Sequence, residues 1–172
     1  RAAGYNRISI GVQSFNERAL KQLERVHTLN EVYLTVKRAR EAGFDNLSLD
    51  LMFALPGQTA TEWEDSLKQA IDLRPEHIST YNLTIESGTA FYKSQSNGKL
   101  IMPPEDFQLR LYKKTINTLK TAGYLHYEIS NFCKPGKECR HNLVYWENGE
   151  YLGLGAGASS FIDGARLKNT NM

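Results

Sequence analysis

Three short apolar segments, 7–12, 46–53 and 77–84, recur at roughly 30–40-residue spacing, the length of one strand plus its return helix. Between them the pattern turns helical. Leu20 and Leu23 follow Asn16, Val32, Val36 and Ala39 precede Gly43, and a further amphipathic run ends near Leu73. Such alternation confines the chain to a parallel β/α architecture, because parallel neighbours need a crossover that only a helix-length connection supplies. The units share no sequence identity, so the repetition is architectural and not that of a solenoid.

Local signals set the expected boundaries. Asn16 reads as the N-cap of a helix over 17–25, and Gly43 closes a second helix over 31–42. Thr61-Glu62-Trp63-Glu64 has the spacing of a capping box opening a helix to about Leu73. After Glu86 the rhythm changes. Residues 87–103 read as a polar loop, 105–122 as a long amphipathic helix stopped by Gly123, 124–130 as a further strand and 131–150 as irregular. Phe161-Ile162-Asp163-Gly164 suggests a hairpin. The expected division is 1–123, a set of β/α units, and 124–172, a later strand with an irregular and β extension. Arg1-Ala2-Ala3-Gly4-Tyr5 reads as the end of a helix, and Asn169-Thr170-Asn171-Met172 follows a strand-like stretch directly. The chain is therefore expected to be an interior piece of a longer protein.

The function classes are narrowed by composition. With 172 residues the chain suits one domain of about 100–200 residues. A formal charge of +2 removes the electrostatic argument for nucleic acid as a partner or for a polybasic membrane surface. No run approaches the roughly 18 apolar residues of a membrane span. The two cysteines, Cys133 and Cys139, are too few for a disulfide scaffold and one short of three cluster thiolates, so a reducing, cytoplasmic setting is expected.

In parallel β/α proteins, ligands meet the carboxyl ends of the strands. Gly11-Val12-Gln13-Ser14, Asp50 and Tyr81-Asn82-Leu83-Thr84 supply the polar groups there. Asp50, between Leu49 and Leu51, needs partners because an unpaired buried charge is costly; ribose hydroxyls serve, and so does an arginine in a structural ion pair. Gln13 suits a ligand carboxylate or amide, or the backbone of its own strand end, while Arg25 by itself reads as a solvated helix residue. Gly153, Gly155 and Gly157 do not fit the dinucleotide fingerprint and suit a close approach of backbone or a flat surface instead. In segment 133–146, two cysteines five residues apart and His141 only faintly resemble a zinc site. His141 with Tyr145 and Trp146 also suits an imidazole ligand beside a flat macrocycle, or a structural hydrogen bond within its segment.

Three motifs taken in order, Gly11-Val12-Gln13-Ser14-Phe15, Leu49-Asp50-Leu51-Met52-Phe53-Ala54-Leu55-Pro56-Gly57-Gln58-Thr59 and His141-Asn142-Leu143-Val144-Tyr145-Trp146, resemble the HemW/HemN branch of the radical SAM superfamily. Glu128-Ile129-Ser130-Asn131-Phe132 and Tyr151-Leu152-Gly153-Leu154-Gly155 extend the resemblance over nearly the whole chain. It implies an α/β fold, part of a partial (β/α) barrel with parallel strands and outer helices. It also implies S-adenosylmethionine (SAM) bound by Gln13, Arg25, Asp50 and Thr84. The complete HNxxYW pattern implies haem, with His141 on the iron and Tyr145 and Trp146 in its pocket. The function implied is that of a haem chaperone delivering haem to respiratory haem proteins, with peripheral membrane association of the full-length protein; the alternative is oxygen-independent coproporphyrinogen III oxidation. The family's CxxxCxxC, which holds a four-iron four-sulfur cluster, is absent here, and neither Cys133 nor Cys139 falls at its positions. This piece alone is therefore expected not to cleave SAM. The resemblance also departs at Gly155-Ala156-Gly157-Ala158-Ser159-Ser160-Phe161, where many relatives carry a histidine.

Overall fold

The computed structural model describes residues 2–170 and keeps the strand–helix rhythm through its first half. β1 (Ile8–Gln13), α1 (Glu17–Gln22) and α2 (Leu29–Glu41) lead to β2 (Leu47–Phe53), α3 (Ala60–Asp72) and β3 (His77–Asn82). Then come α4 (Ala90–Ser96), α5 (Glu105–Thr121), β4 (Leu125–His126) and β5 (Asn131–Cys133), followed by α6 (Arg140–Trp146), β6 (Ser159–Ile162) and β7 (Ala165–Lys168). The chain divides after Lys137 into two compact units.

In the first unit the sheet order is β1-β2-β3-β5-β4. β1, β2 and β3 are parallel, as expected, whereas β5 is antiparallel to β3 and β4 to β5. The continuous strand expected over 124–130 does not form. Tyr127 N–H donates to the Asn131 carbonyl (3.3 Å) and Ser130 N–H to Glu128 Oε1 (3.0 Å), folding the segment into a tight turn. The residues that pair with β3 are those of β5, which the sequence pattern reads as irregular. This pairing carries the first unit past the expected 123/124 division.

One face of the sheet carries the core. Leu47, Leu49, Leu51 and Phe53 alternate onto it with Ile78 and Phe132, and pack against Val32 and Val36 of α2, Trp63 and Leu67 of α3, and Leu111 and Leu119 of α5. Trp63 is fully buried and donates its indole N–H to Thr115 Oγ1 at 2.8 Å, so its polar edge is satisfied as well as its ring. At the amino ends of β2 and β3, Glu76 takes a bidentate pair from Arg40 (2.9 and 3.0 Å) and the Leu47 N–H (2.9 Å).

Several helix boundaries shift for identifiable reasons. The capping box of α3 is Thr59 with Glu62, not Thr61 with Glu64, and α2 starts two residues early because Thr28 and Glu31 form another. α1 ends at Gln22, short of Arg25. Arg25 N–H bonds to Leu20 O and Glu24 N–H to Lys21 O, a Schellman ending with Glu24 at φ 54. The expected polar loop holds α4, capped by Thr89. At the chain ends, Ala2 and Ala3 form a turn and Gly4 has φ 89; Arg1, Asn171 and Met172 lie outside the described residues.

The second unit is small. α6 replaces part of the expected irregular segment, and β6 and β7 form the expected hairpin around Asp163 (φ 51) and Gly164 (φ 73), a two-residue turn with both residues left-handed. Gly153 permits the close backbone approach read from its motif, since a Cβ there would lie 2.1 Å from the Ser159 carbonyl oxygen. Among the described residues no helix is long and apolar enough to cross a membrane.

Candidate functional site

Strand alternation puts Ser48, Asp50 and Met52 on the face opposite the helices, along with Ser9 and Gly11 of β1 and His77 and Ser79 of β3. Asp50 is half-buried there, and among the described residues no arginine pairs with it. Ser9 Oγ reaches both of its carboxylate oxygens (2.9 and 2.8 Å), and Ser48 Oγ donates to Oδ1 at 3.3 Å. Ser48 in turn contacts His77 Nδ1 at 2.8 Å, and His77 Nε2 contacts the Tyr127 hydroxyl at 2.8 Å. This row of side chains crosses the sheet beneath Asp50. Burial, reinforced by the nearby charge of Arg7, lowers the His77 pKa to about 4, so the ring is neutral at physiological pH.

Gln13 ends β1 in an unusual way. A three-residue turn, Ser14 N–H to Val12 O at 2.8 Å, is centred on it at φ 64, a costly conformation for a side-chain-bearing residue. The turn carries the carboxamide back over Gly11. A Cβ on Gly11 would lie 2.8 Å from Gln13 Nε2, so the glycine in this motif makes room for the glutamine amide. Gln13 and Asp50 therefore share one sheet face. Arg25 and Thr84 are placed differently. Arg25 is exposed just past α1, and Thr84 is exposed two residues beyond β3, after the buried Leu83. β3 ends at Asn82, so Thr84 stands in the connection that follows the strand.

Sequence reasoning did not single out Ser9, Ser48, His77 or Tyr127. Ser48 was the most accessible to it, lying two residues before Asp50 and hence on the same strand face.

In the second unit, His141 and Tyr145 stand four residues apart on α6 and not in an irregular segment. The Tyr145 hydroxyl lies 2.9 Å from His141 Nε2, with the rings edge-on at 4.8 Å. Tyr145 also meets Tyr151 edge-on at 4.5 Å. His141 is exposed, Tyr145 and Trp146 are 44% and 53% exposed, and Leu152 and Leu154 leave further apolar surface open. An exposed imidazole beside aromatic surface fits the donor set of a haem site.

A four-iron cluster is not fitted by the residues present. Cys133 is fully buried in β5 and Cys139 is the N-cap residue of α6; among the described residues no group of three or more His, Cys, Asp or Glu is arranged to hold a metal ion. SAM is better matched, since the hydroxyl and amino groups of a nucleoside ligand need an acceptor such as the Asp50 carboxylate.

Residues 1–70 match the Radical SAM superfamily. The chain is 45% identical over 169 residues to a protein named Heme chaperone HemW from Bacillus subtilis (strain 168), covering 98% of this chain and 45% of that protein. It is 43% identical over 171 residues to one of the same name from Escherichia coli (strain K12), covering 98% and 44%. Among solved structures it superposes on coproporphyrinogen III oxidase (HemN) from Escherichia coli, a radical SAM enzyme, with a TM-score of 0.80 at 25% identity, over 100% of this chain and 42% of that one. The chain spans less than half the length of each of these proteins.

Proposed function

For a chain that is HemW-like along nearly its whole length and matches the radical SAM superfamily in its first 70 residues, we propose a haem-binding and haem-delivering role for the protein it belongs to. The observation that carries this reading is the complete His141-Asn142-Leu143-Val144-Tyr145-Trp146 motif on an exposed aromatic helix, in a chain 43–45% identical to proteins named as haem chaperones. His141 is the iron ligand in this reading, Tyr145 and Trp146 supply aromatic surface, and haem-accepting respiratory proteins receive the cargo in the cytoplasm or at the membrane surface. Gln13, Asp50, Arg25 and Thr84 hold SAM, whose partner cluster is bound by cysteines outside this chain. Asp50 and Gln13 are supported by their shared sheet face; Arg25 and Thr84 rest on position in the motif alone.

Haem titration of the full-length protein and its His141→Ala variant tests the assignment, with thermal melts and SAM binding measured alongside. The expected result is weakened haem binding with an altered Soret band, and SAM affinity and melting temperature unchanged. Unaltered haem affinity and spectrum in the folded variant would remove His141 as the ligand. Coproporphyrinogen III oxidation by the full-length protein with bound cluster would favour the enzymatic alternative.

A further inference from the structure

We infer that Ser48 and His77 are positioning residues for Asp50, holding its carboxylate fixed on the ligand face through a one-directional chain of hydrogen bonds that begins at Tyr127. The inference rests on the reading that SAM is held at Asp50. Its physical basis is a count of protons.

Ser48 has one hydroxyl proton and two close neighbours, Asp50 Oδ1 at 3.3 Å and His77 Nδ1 at 2.8 Å. If that proton pointed at the imidazole, the serine and carboxylate oxygens would face each other with none between them. Ser9 cannot supply it, because its own single proton is already shared between the two Asp50 oxygens. If instead His77 carries its proton on Nδ1, the ring donates to Ser48 Oγ and the serine proton goes to the carboxylate. His77 Nε2 then accepts from the Tyr127 hydroxyl at 2.8 Å. Every contact in the row is then a hydrogen bond, and the one ending on the ion is the stronger, charge-assisted kind. The acceptor-only carboxylate thus orients the serine proton, the serine oxygen selects the Nδ1–H tautomer, and Tyr127 completes the row as donor to Nε2.

The chain also limits how Asp50 meets a ligand. Oδ1 faces two hydroxyls, Ser9 and Ser48, whereas Oδ2 faces Ser9 alone. Oδ2 therefore retains the acceptor capacity, and the ligand contact is a single hydrogen bond from a hydroxyl or amino group.

The test uses the full-length protein with Ser48→Ala, His77→Leu, His77→Asn and Asp50→Asn, with SAM binding by calorimetry and a thermal melt for each. An asparagine at 77 presents an amide N–H where the imidazole presents Nδ1–H; a leucine of comparable bulk presents none. Ser48→Ala and His77→Leu should weaken SAM binding about tenfold, the scale of one hydrogen bond to a charged group, and His77→Asn should restore it to within about twofold. Imidazole ¹⁵N shifts of the unsubstituted protein should show the Nδ1–H tautomer. Equal SAM binding by folded His77→Leu and His77→Asn would mean that His77 only fills space, and an Nε2–H tautomer would overturn the inference whatever SAM does. Should His77→Leu not fold, Ser48→Ala decides, since it removes only a hydroxyl. Asp50→Asn separates the two levels. If it leaves SAM affinity intact, the placement of SAM at Asp50 fails and the inference with it; if it weakens binding while Ser48→Ala does not, the inference alone fails.

Discussion

Asp50 and His141 are both polar groups amid apolar neighbours, and they are held by opposite means. Asp50 is met by Ser9 from 41 residues away, on a neighbouring strand whose position depends on the whole sheet, and the groups beneath it are almost entirely buried. His141 is met by Tyr145, four residues along a seven-residue helix, and the aromatic rings around it are half open to solvent. The first arrangement exists only when the fold exists, and it suits a ligand of fixed shape that must be met by fixed groups. The second is assembled locally and leaves its apolar surface unspent, which suits a bulky cargo that arrives and leaves.

The sharpest way to break this contrast is with the two tryptophans. Trp63→Ala, at a fully buried site with a hydrogen bond to Thr115, should cost about 3–5 kcal/mol in equilibrium unfolding. Trp146→Ala should change stability by about 0.5 kcal/mol or less. A loss at Trp146 equal to that at Trp63 would mean that the aromatic helix is structural and not a free surface.

A smaller effect belongs to acid. The folded-state pKa of His77 is about 4 against an ordinary value of 6.5, so over that interval the unfolded chain binds a proton that the folded one refuses. Stability from this residue is fully present above pH 6.5 and is lost as pH falls toward 4, by on the order of 3 kcal/mol at most. Denaturant unfolding across that range should show the decline, and His77→Asn should flatten it. The same slope in both proteins would put the acid sensitivity elsewhere.

Smaller again is the effect expected at Gly153 in the second unit. Gly153→Ala places a carbon 2.1 Å from a backbone carbonyl oxygen of Ser159. It should cost about 1–3 kcal/mol, read as faster amide exchange across β6 and β7. Unchanged exchange would show that this unit yields even at its closest contact, which would widen the contrast with the sheet.

Much of this was readable in the linear pattern. The 30–40-residue rhythm, the inward faces of α2 and the Asp163-Gly164 hairpin depend on period and turn chemistry, which are local. What escaped was decided by distant partners. Residues 131–133 look irregular alone, yet they complete a ladder because β3 offers them an edge; residues 124–130 alternate well, yet Glu128 turns them. Asp50 was visible as a charge needing company, but its company was not, because serines and a histidine scattered over three strands carry no shared spacing.

The Arg40–Glu76 clamp has a consequence for how errors are avoided during folding. Glu76 binds both a helix side chain and the first amide of β2, one residue before β3 begins, so the two strands start in step. A slip of a single residue would exchange their faces, turning Asp50 toward the helices and Leu49 toward the opposite side of the sheet. Such a mispaired sheet would also take the Leu47 N–H away from the Glu76 carboxylate. The pair therefore acts as a proofreading contact, satisfied in the native register and placed at the amino ends of β2 and β3.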